Sequence, residues 1–380
     1  MRRGSIACVA GVAIALAATV PMPAQDAYDW NLPIGFPAPP VPQDNPMSEA
    51  KVELGRHLFY DTRLSGNGTQ SCGSCHEQVR AFTDGRARSV GSTGQLHPRG
   101  SMSLVNVAYA AVLTWANHRQ TRLEDQMFVP MYGEHPIELG LNVSDTWLDA
   151  FERDQQYRRM FAAAFPRQPG PVSRENLVKA IASFERAIMS ARSPYDRYHF
   201  QRDDSAISDA AKRGEVLFHS RPLACFTCHS GIHFSGAMGA EPRAMTIEFH
   251  NTGLYNLAGT RSYPAGNLGL YEQTGEATDV GKFKAPTLRN IAVTAPYMHD
   301  GSVATLEDAI DHYAAGGRTI ADGPYQGVGR DNANKSPAIR GFTLTAAQRA
   351  DLVAFLRSLT DEELLRDPRF ANPWLRARKP

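Results

Sequence analysis

Two short runs decide how this chain folds: Cys72-Gly73-Ser74-Cys75-His76 and Cys225-Phe226-Thr227-Cys228-His229. Each is a C-x-x-C-H, the spacing at which c-type haem is attached to protein. Two thiols one helical turn apart add to the two vinyl groups along one porphyrin edge, and the residue that follows brings an imidazole to one axial face of the iron. The chain has five cysteines; Cys8 lies near the N-terminus, and the two runs use all the others. A zinc site or a pair of disulfides would give the histidine after each pair no role.

The text leading into the two runs is related. Ala50–Phe59 reads AKVELGRHLF and Ala211–Phe218 reads AKRGEVLF, each a Gly-containing helical stretch ending in Leu-Phe. This pattern indicates duplication of one haem-bearing helical unit. Apolar spacing predicts helices over Glu49–Tyr60, within Trp147–Arg192, and over Thr305–Ala314 and Thr345–Leu359. Strand signals are few, and Gly (31) and Pro (25) are frequent enough to imply many turns. The expected class is therefore mainly α: two cytochrome c-like haem domains with long ordered loops, such as Phe234–Phe283, and little β. The expected division is a Pro-rich extended segment over 25–47, an N-terminal haem domain over 48–200, a C-terminal haem domain over 201–360 and a polar tail over 361–380. The polar stretch Gln201–Ser208 marks the boundary between the halves.

Net charge is +1, and no block of Lys or Arg suggests nucleic acid or an anionic membrane surface. Arg2 and Arg3 precede an apolar run from Ile6 to Val20, followed by Pro21 to Ala24. That order is expected of a secretory signal peptide over 1–24, and the run is short for a bilayer span. The chain is expected to be exported to the periplasm and not to be an integral membrane protein.

Longer stretches resemble one family. LGRHLFYDTRLSGNGTQSCGSCH (54–76), AFTDGR (81–86), RLEDQ (122–126), PIELG (136–140), SFERAIMSARSPYDRY (183–198) and FKAPTLRNIAVTAPYMHDG (283–301) are similar to the bacterial di-haem cytochrome c peroxidase superfamily. The resemblance covers about 45–359. The opening WNLPIGFPAPPVP and the stretch YDTRLSGNGTQSC most resemble the branch containing MauG and MbnH, whose members oxidise residues of partner proteins.

The resemblance implies a role for each matched residue. Cys72, Cys75, Cys225 and Cys228 would hold two haems, with His76 and His229 as proximal ligands. Tyr313 stands where the peroxidases carry a Met ligand to the second haem, and MauG-like enzymes have Tyr there. A thioether favours reduced iron, whereas an anionic oxygen favours oxidised and high-valent states. Tyr313 also fits a buried helix face with Leu306, Ala309 and Ile310, and Met298 and Met245 are rival ligands. The first haem would be the peroxide site, lined by Gln126, Pro130 and a Glu that moves a proton between the peroxide oxygens. That Glu is Glu138, or Glu134 given an insertion within Tyr132–His135. His97 lies in the loop from which some relatives cap the first haem. Trp115 falls where the family has a Trp between the haems. Thr294 and Pro296 match the family's calcium site through backbone oxygens, but the Asn that completes it aligns with Gly100, and nearby Asn106 matches another landmark. The MauG surface Trp aligns with Leu223, so any exit for oxidising equivalents must differ.

The expected function is a peroxide-dependent di-haem oxidoreductase. It would oxidise a residue of a partner, expected from the MbnH-like text to be a Trp, converted to kynurenine, in an exported MbnP-like copper-binding protein. The alternatives are a peroxidase that takes electrons from a small c-type cytochrome, and a non-catalytic electron-transfer cytochrome with both irons capped.

Overall fold

The computed structural model describes residues 28–142 and 144–375. The expected signal peptide lies outside the described residues. Among those residues, no helix is long and apolar enough to cross a membrane.

Two helix pairs carry the architecture, and each closes on a glycine. In the first half, Glu49–Phe59 is capped by Ser48, whose side chain accepts from Lys51 N–H. It packs against Arg174–Ala187, capped by Ser173. In the second half, Asp209–Phe218, capped by Ser208, packs against Ala346–Ser358, which opens with a Thr345/Gln348 capping box. A Cβ at Gly55 would lie 2.0 Å from the carbonyl oxygen of Ala180, and one at Gly214 would lie 2.0 Å from that of Asp351. Only hydrogen at these positions lets the backbones approach so closely. Phe184 and Phe355 flank the two crossings in the same way. The duplication visible in Leu-Phe is thus a duplicated helix crossing.

Each pair organises its own core. Leu54, Leu58, Phe59, Phe161, Leu177, Ile181 and Phe184 centre the first. Phe218, Phe234, Leu352, Phe355 and Leu359 centre the second. Among the described residues, regular β structure is confined to two antiparallel pairs, Phe249–His250 with Phe283–Lys284 and Thr319–Ile320 with Gly327–Val328. The mainly α class holds.

The halves also repeat in their loops. Asn106 and Asn290 both adopt left-handed backbone (φ 57° and 60°), and a short 3-10 turn follows each. Their buried amides meet at Ser190. Ser190 N–H donates to Asn106 Oδ1 (2.7 Å), and Asn106 Nδ2 donates to Ser190 O (2.9 Å). Asn290 Nδ2 donates to Ser190 Oγ (2.8 Å), and Asn290 Oδ1 accepts from Asp361 N–H (2.7 Å).

Four regions go beyond the sequence reading. The stretch Trp147–Arg192, expected to hold helices, forms separate pieces, chiefly Gln155–Ala164 and Arg174–Ala187. Pro166, Pro169, Gly170 and Pro171 break it, since proline lacks the N–H a helix interior needs. A helix at Pro194–Gln201, begun by a Ser193/Asp196 capping box, runs up to the polar boundary. The stretch expected as a separate polar tail instead places Leu364, Leu365 and Phe370 in the first core. There Tyr60 Oη donates to Phe370 O, and Gln78 Nε2 donates to Leu364 O and Asp367 O. The Pro-rich segment crosses to the second half, where Phe36 lies under the Arg289 guanidinium.

Gly55→Ala and Gly214→Ala should each destabilise the protein by about 1–3 kcal/mol, because backbone carbonyls cannot move aside for a new methyl group. Urea unfolding of each variant beside the parent protein measures this, and equal midpoints would contradict the packing argument.

Candidate active site

Both C-x-x-C-H histidines are oriented by one device. His76 Nδ1 is 2.8 Å from Phe82 O, and His229 Nδ1 is 3.1 Å from Phe234 O. A carbonyl can only accept, so Nδ1 carries the proton and Nε2 carries the lone pair, the tautomer that ligates a metal. Phe82 and Phe234 reach this position through positive-φ backbone (60° and 50°) and are fully buried. Burial also lowers the affinity of both imidazoles for a second proton, that of His229 to about 4. No disulfide joins the four cysteines, and burial raises the pKa of each thiol. Paired thiols beside a tautomer-fixed imidazole suit covalent haem at both places.

A 460 Å³ cavity lies against the second run. Cys225, Cys228 and His229 form part of its wall, and Tyr313 and Met298 also line it. Tyr313 sits on the Leu306–Ala314 helix, where Leu306 and Ile310 are buried. Burial pushes its hydroxyl up, with the Cys228 and Cys225 sulfurs adding to the effect, so its phenolate needs a positive centre to form. Met245, the weaker rival ligand, packs near Gly239 and is not part of this wall. Leu223 lines the cavity, half-buried, where an indole was expected in relatives.

The wall between the halves contains Trp115. Its Nε1 donates to Gly100 O (3.0 Å), and its carbonyl accepts from Lys284 N–H (2.9 Å). The indole thus touches the first half through its ring and the second through its backbone. The Gly100 carbonyl, at the aligned calcium position, accepts from Trp115. The Asn106 side chain is taken up by Ser190. Thr294 and Pro296 line the cavity. Among the described residues, no three His, Cys, Asp or Glu side chains converge as a metal site.

At the first run the structure separates the two acid candidates. Gln126 ends the Leu123–Gln126 helix and Pro130 lies in Phe128–Tyr132. Leu139 N–H donates to Pro130 O (2.9 Å), which folds the following loop back on itself. The extra residues are absorbed at its tip, where Glu134 is exposed and pairs with Ile137. Glu138 is instead half-buried beside Pro130 and acts electrostatically on both Cys72 and Cys75. Burial pushes its carboxyl up to about 7. Its Oε1 is 3.7 Å from His97 Nε2. The loop around His97 is clasped to this one: Ser92 N–H donates to Glu138 O, and Gln95 Oε1 accepts from Ile137 N–H.

The di-haem cytochrome c peroxidase family model matches residues 49–205. The chain is 32% identical to cytochrome-c peroxidase IdrP1 of Pseudomonas sp. (strain SCT), over 94% of this chain and 93% of that one. It is 30% identical to the methylamine utilization protein MauG of Methylophilus methylotrophus, over 89% and 92%. The chain belongs to the di-haem cytochrome c peroxidase and MauG family. This di-haem oxidoreductase also superposes on the crystal structure of a MauG-like protein associated with microbial copper homeostasis, with a TM-score of 0.89, 49% identity, and coverage of 92% of this chain and 100% of that one. The family implies two haems, and both C-x-x-C-H sites are built to hold one.

Sequence reasoning missed several residues of this di-haem centre. Lys284 is buried in the cavity wall, where Nζ donates to Val112 O (2.7 Å) and Leu113 O (3.2 Å) and burial lowers its pKa to about 7. Glu185 is buried with Oε2 unpartnered, and burial pushes its carboxyl up to about 8. His299 stacks on Phe283 with its Nε2 unpartnered. Lys284 and His299 belong to the quoted FKAPTLRNIAVTAPYMHDG and Glu185 to SFERAIMSARSPYDRY, but nothing in the text shows which of these residues face inward.

Glu138→Gln should lower peroxide turnover by about 10²–10⁴-fold, the loss expected on removing an acid–base group, while Glu134→Gln leaves it unchanged. The carboxylate form must accept the first proton, so turnover should fall as pH drops below about 7 and lose that limb in Glu138→Gln. Stopped-flow rates across pH 5–9, a span of about two units either side of that value, test both statements.

Proposed function

We propose that this exported di-haem enzyme uses hydrogen peroxide to oxidise a residue of a partner protein, by resemblance a Trp converted to kynurenine in a periplasmic copper-binding protein. The observation that carries the reading is Tyr313, placed in the cavity wall with Cys225, Cys228 and His229. An anionic oxygen ligand there favours storage of oxidising equivalents over fast one-electron turnover. The 49% likeness to a MauG-like protein associated with copper homeostasis supports the choice of partner class.

Haem, when bound at the two sites, supplies the peroxide-reducing redox chemistry. The chain's own residues then divide the work. Glu138 takes the proton from the inner peroxide oxygen and returns it to the outer one, so that water can leave. Gln126 and Pro130 line that face without offering a strong ligand. Trp115, bonded to both halves, passes charge between the centres. Thr294 and Pro296 would supply backbone oxygens to a calcium ion.

A second reading is a peroxidase fed by a small c-type cytochrome. Met298 favours it, because this thioether lines the same cavity as Tyr313. Similarity to cytochrome-c peroxidase IdrP1 supports it equally. The third reading, an electron-transfer cytochrome, requires both irons capped, with His97, whose Nε2 lies 3.7 Å from Glu138 Oε1, as the cap of the first.

Tyr313→Met separates the first two. Partner oxidation, read as a mass change of the co-expressed copper protein after peroxide, should be lost in the variant, and the resting electron paramagnetic resonance spectrum should change at the second haem. A spectrum identical to the parent's would remove Tyr313 from the iron. An unchanged partner mass with the parent enzyme would favour the cytochrome-fed peroxidase.

A further inference from the structure

We propose that Tyr263, Tyr255 and Tyr325 form a redox exit from the second haem cavity, through which oxidising equivalents reach the surface at Tyr325. The inference rests on the peroxide-driven reading above and adds the place where its oxidising power leaves the fold.

The route is a continuous line of ring contacts. It starts at the cavity wall, where Phe283 and His299 stack with centroids 3.7 Å apart. Tyr263 lies 6.4 Å from each of them, and Tyr255 lies 5.4 Å from Tyr263. Tyr325 lies 5.8 Å from Tyr255 and is 46% exposed, on the loop joining Thr319–Ile320 to Gly327–Val328. Tyr263 and Tyr255 are buried. Gly281 makes room for the line, since a Cβ there would lie 2.3 Å from the Tyr263 ring.

The polar contacts differ along the line in a way that suits electron loss at one ring. A phenol is hard to oxidise while it keeps its proton. Tyr263 Oη donates to the Asn251 amide oxygen (2.7 Å), which is no base, so this ring is a passage. Tyr255 Oη donates to the buried carboxylate of Asp300 (2.6 Å), which is one. The Arg318 guanidinium lies 4.5 Å from the Tyr255 ring centroid. A cation over the ring disfavours a radical cation, so the electron and proton must leave together.

The step balances as follows. Tyr255 gives one electron towards the cavity while its O–H bond breaks and an O–H bond forms on Asp300, leaving a neutral phenoxyl. Tyr325 then gives one electron to Tyr255, Asp300 returns the proton to Tyr255, and the Tyr325 proton passes to water. Hydrogen peroxide is the terminal oxidant: two electrons and two protons reduce it to two waters. Tyr325 is finally reduced by a donor outside the protein. The route explains how Leu223, which cannot be oxidised in this way, can occupy the cavity wall where relatives present an indole.

The test treats the holo-protein, Tyr325→Phe and Tyr255→Phe with peroxide and no partner. Peptide mass spectrometry maps tyrosine oxidation and dityrosine cross-links, and haem absorbance reports the response to peroxide. The parent should be modified at Tyr325 and form dityrosine-linked dimers. Tyr325→Phe should lose the cross-link. Tyr255→Phe should keep Tyr325 but lose its modification, with the haem response present in all three. Equal modification of Tyr325 in Tyr255→Phe, or none in a parent whose haems respond, would overturn the route alone. A parent whose haem absorbance does not respond would overturn the peroxide-driven reading, and the route with it.

Discussion

The fold depends on a buried hydrogen-bond knot around Ser190. Asn106 from the first half and Asn290 from the second both bond to this one residue, and Asp361 completes the set by accepting from Ala191 and Arg192 N–H. Asn106, Ser190 and Asn290 are fully buried and Asp361 nearly so. Each such group left unpaired would cost about 1–3 kcal/mol, so the knot tolerates one arrangement of the halves. Asn106 also reaches the loop after the second C-x-x-C-H, where its Nδ2 lies 3.3 Å from His233 Nδ1.

A second constraint reinforces it. Arg289, fully buried next to Asn290, pairs with both oxygens of Asp196 (2.9 Å each) and lies over the Phe36 ring. Breaking one partner of such a pair strands a buried charge, which is far more costly than the pair is stabilising. The Pro-rich segment, the Pro194–Gln201 helix and the second haem loop are held together at this point. At the edges of this frame lie two half-buried groups: Glu138 in a folded-back loop, and Tyr313 on a cavity wall.

The two haem sites share their proximal construction but not their surroundings. Donation from Nδ1 to a phenylalanine carbonyl fixes both imidazoles alike. Around the first lies a carboxyl raised by burial. Around the second lie a phenol, a thioether and a line of aromatic rings. The duplicated unit has thus kept its proximal construction while the side chains around it have diverged.

The sequence by itself determined what is local. C-x-x-C-H places two haem-attaching thiols and one iron-ligating imidazole within about one helical turn, and Leu-Phe before each run marks the repeated helix. Cofactor type, helical class and duplication were therefore legible, and the text around Tyr313 and Trp115 singled out two residues that the structure places in one cavity wall. Tertiary structure alone decided what depends on contacts between distant segments. Glu138 rather than Glu134 faces inward because Leu139 bonds back to Pro130, which letter spacing across an insertion does not show. The tail looked polar, yet three apolar residues spaced along it reach a core built over a hundred residues earlier in the chain. Lys284, Glu185 and Asp300 read as ordinary charged residues, and only burial, which removes the water that would solvate them, makes them chemically distinct.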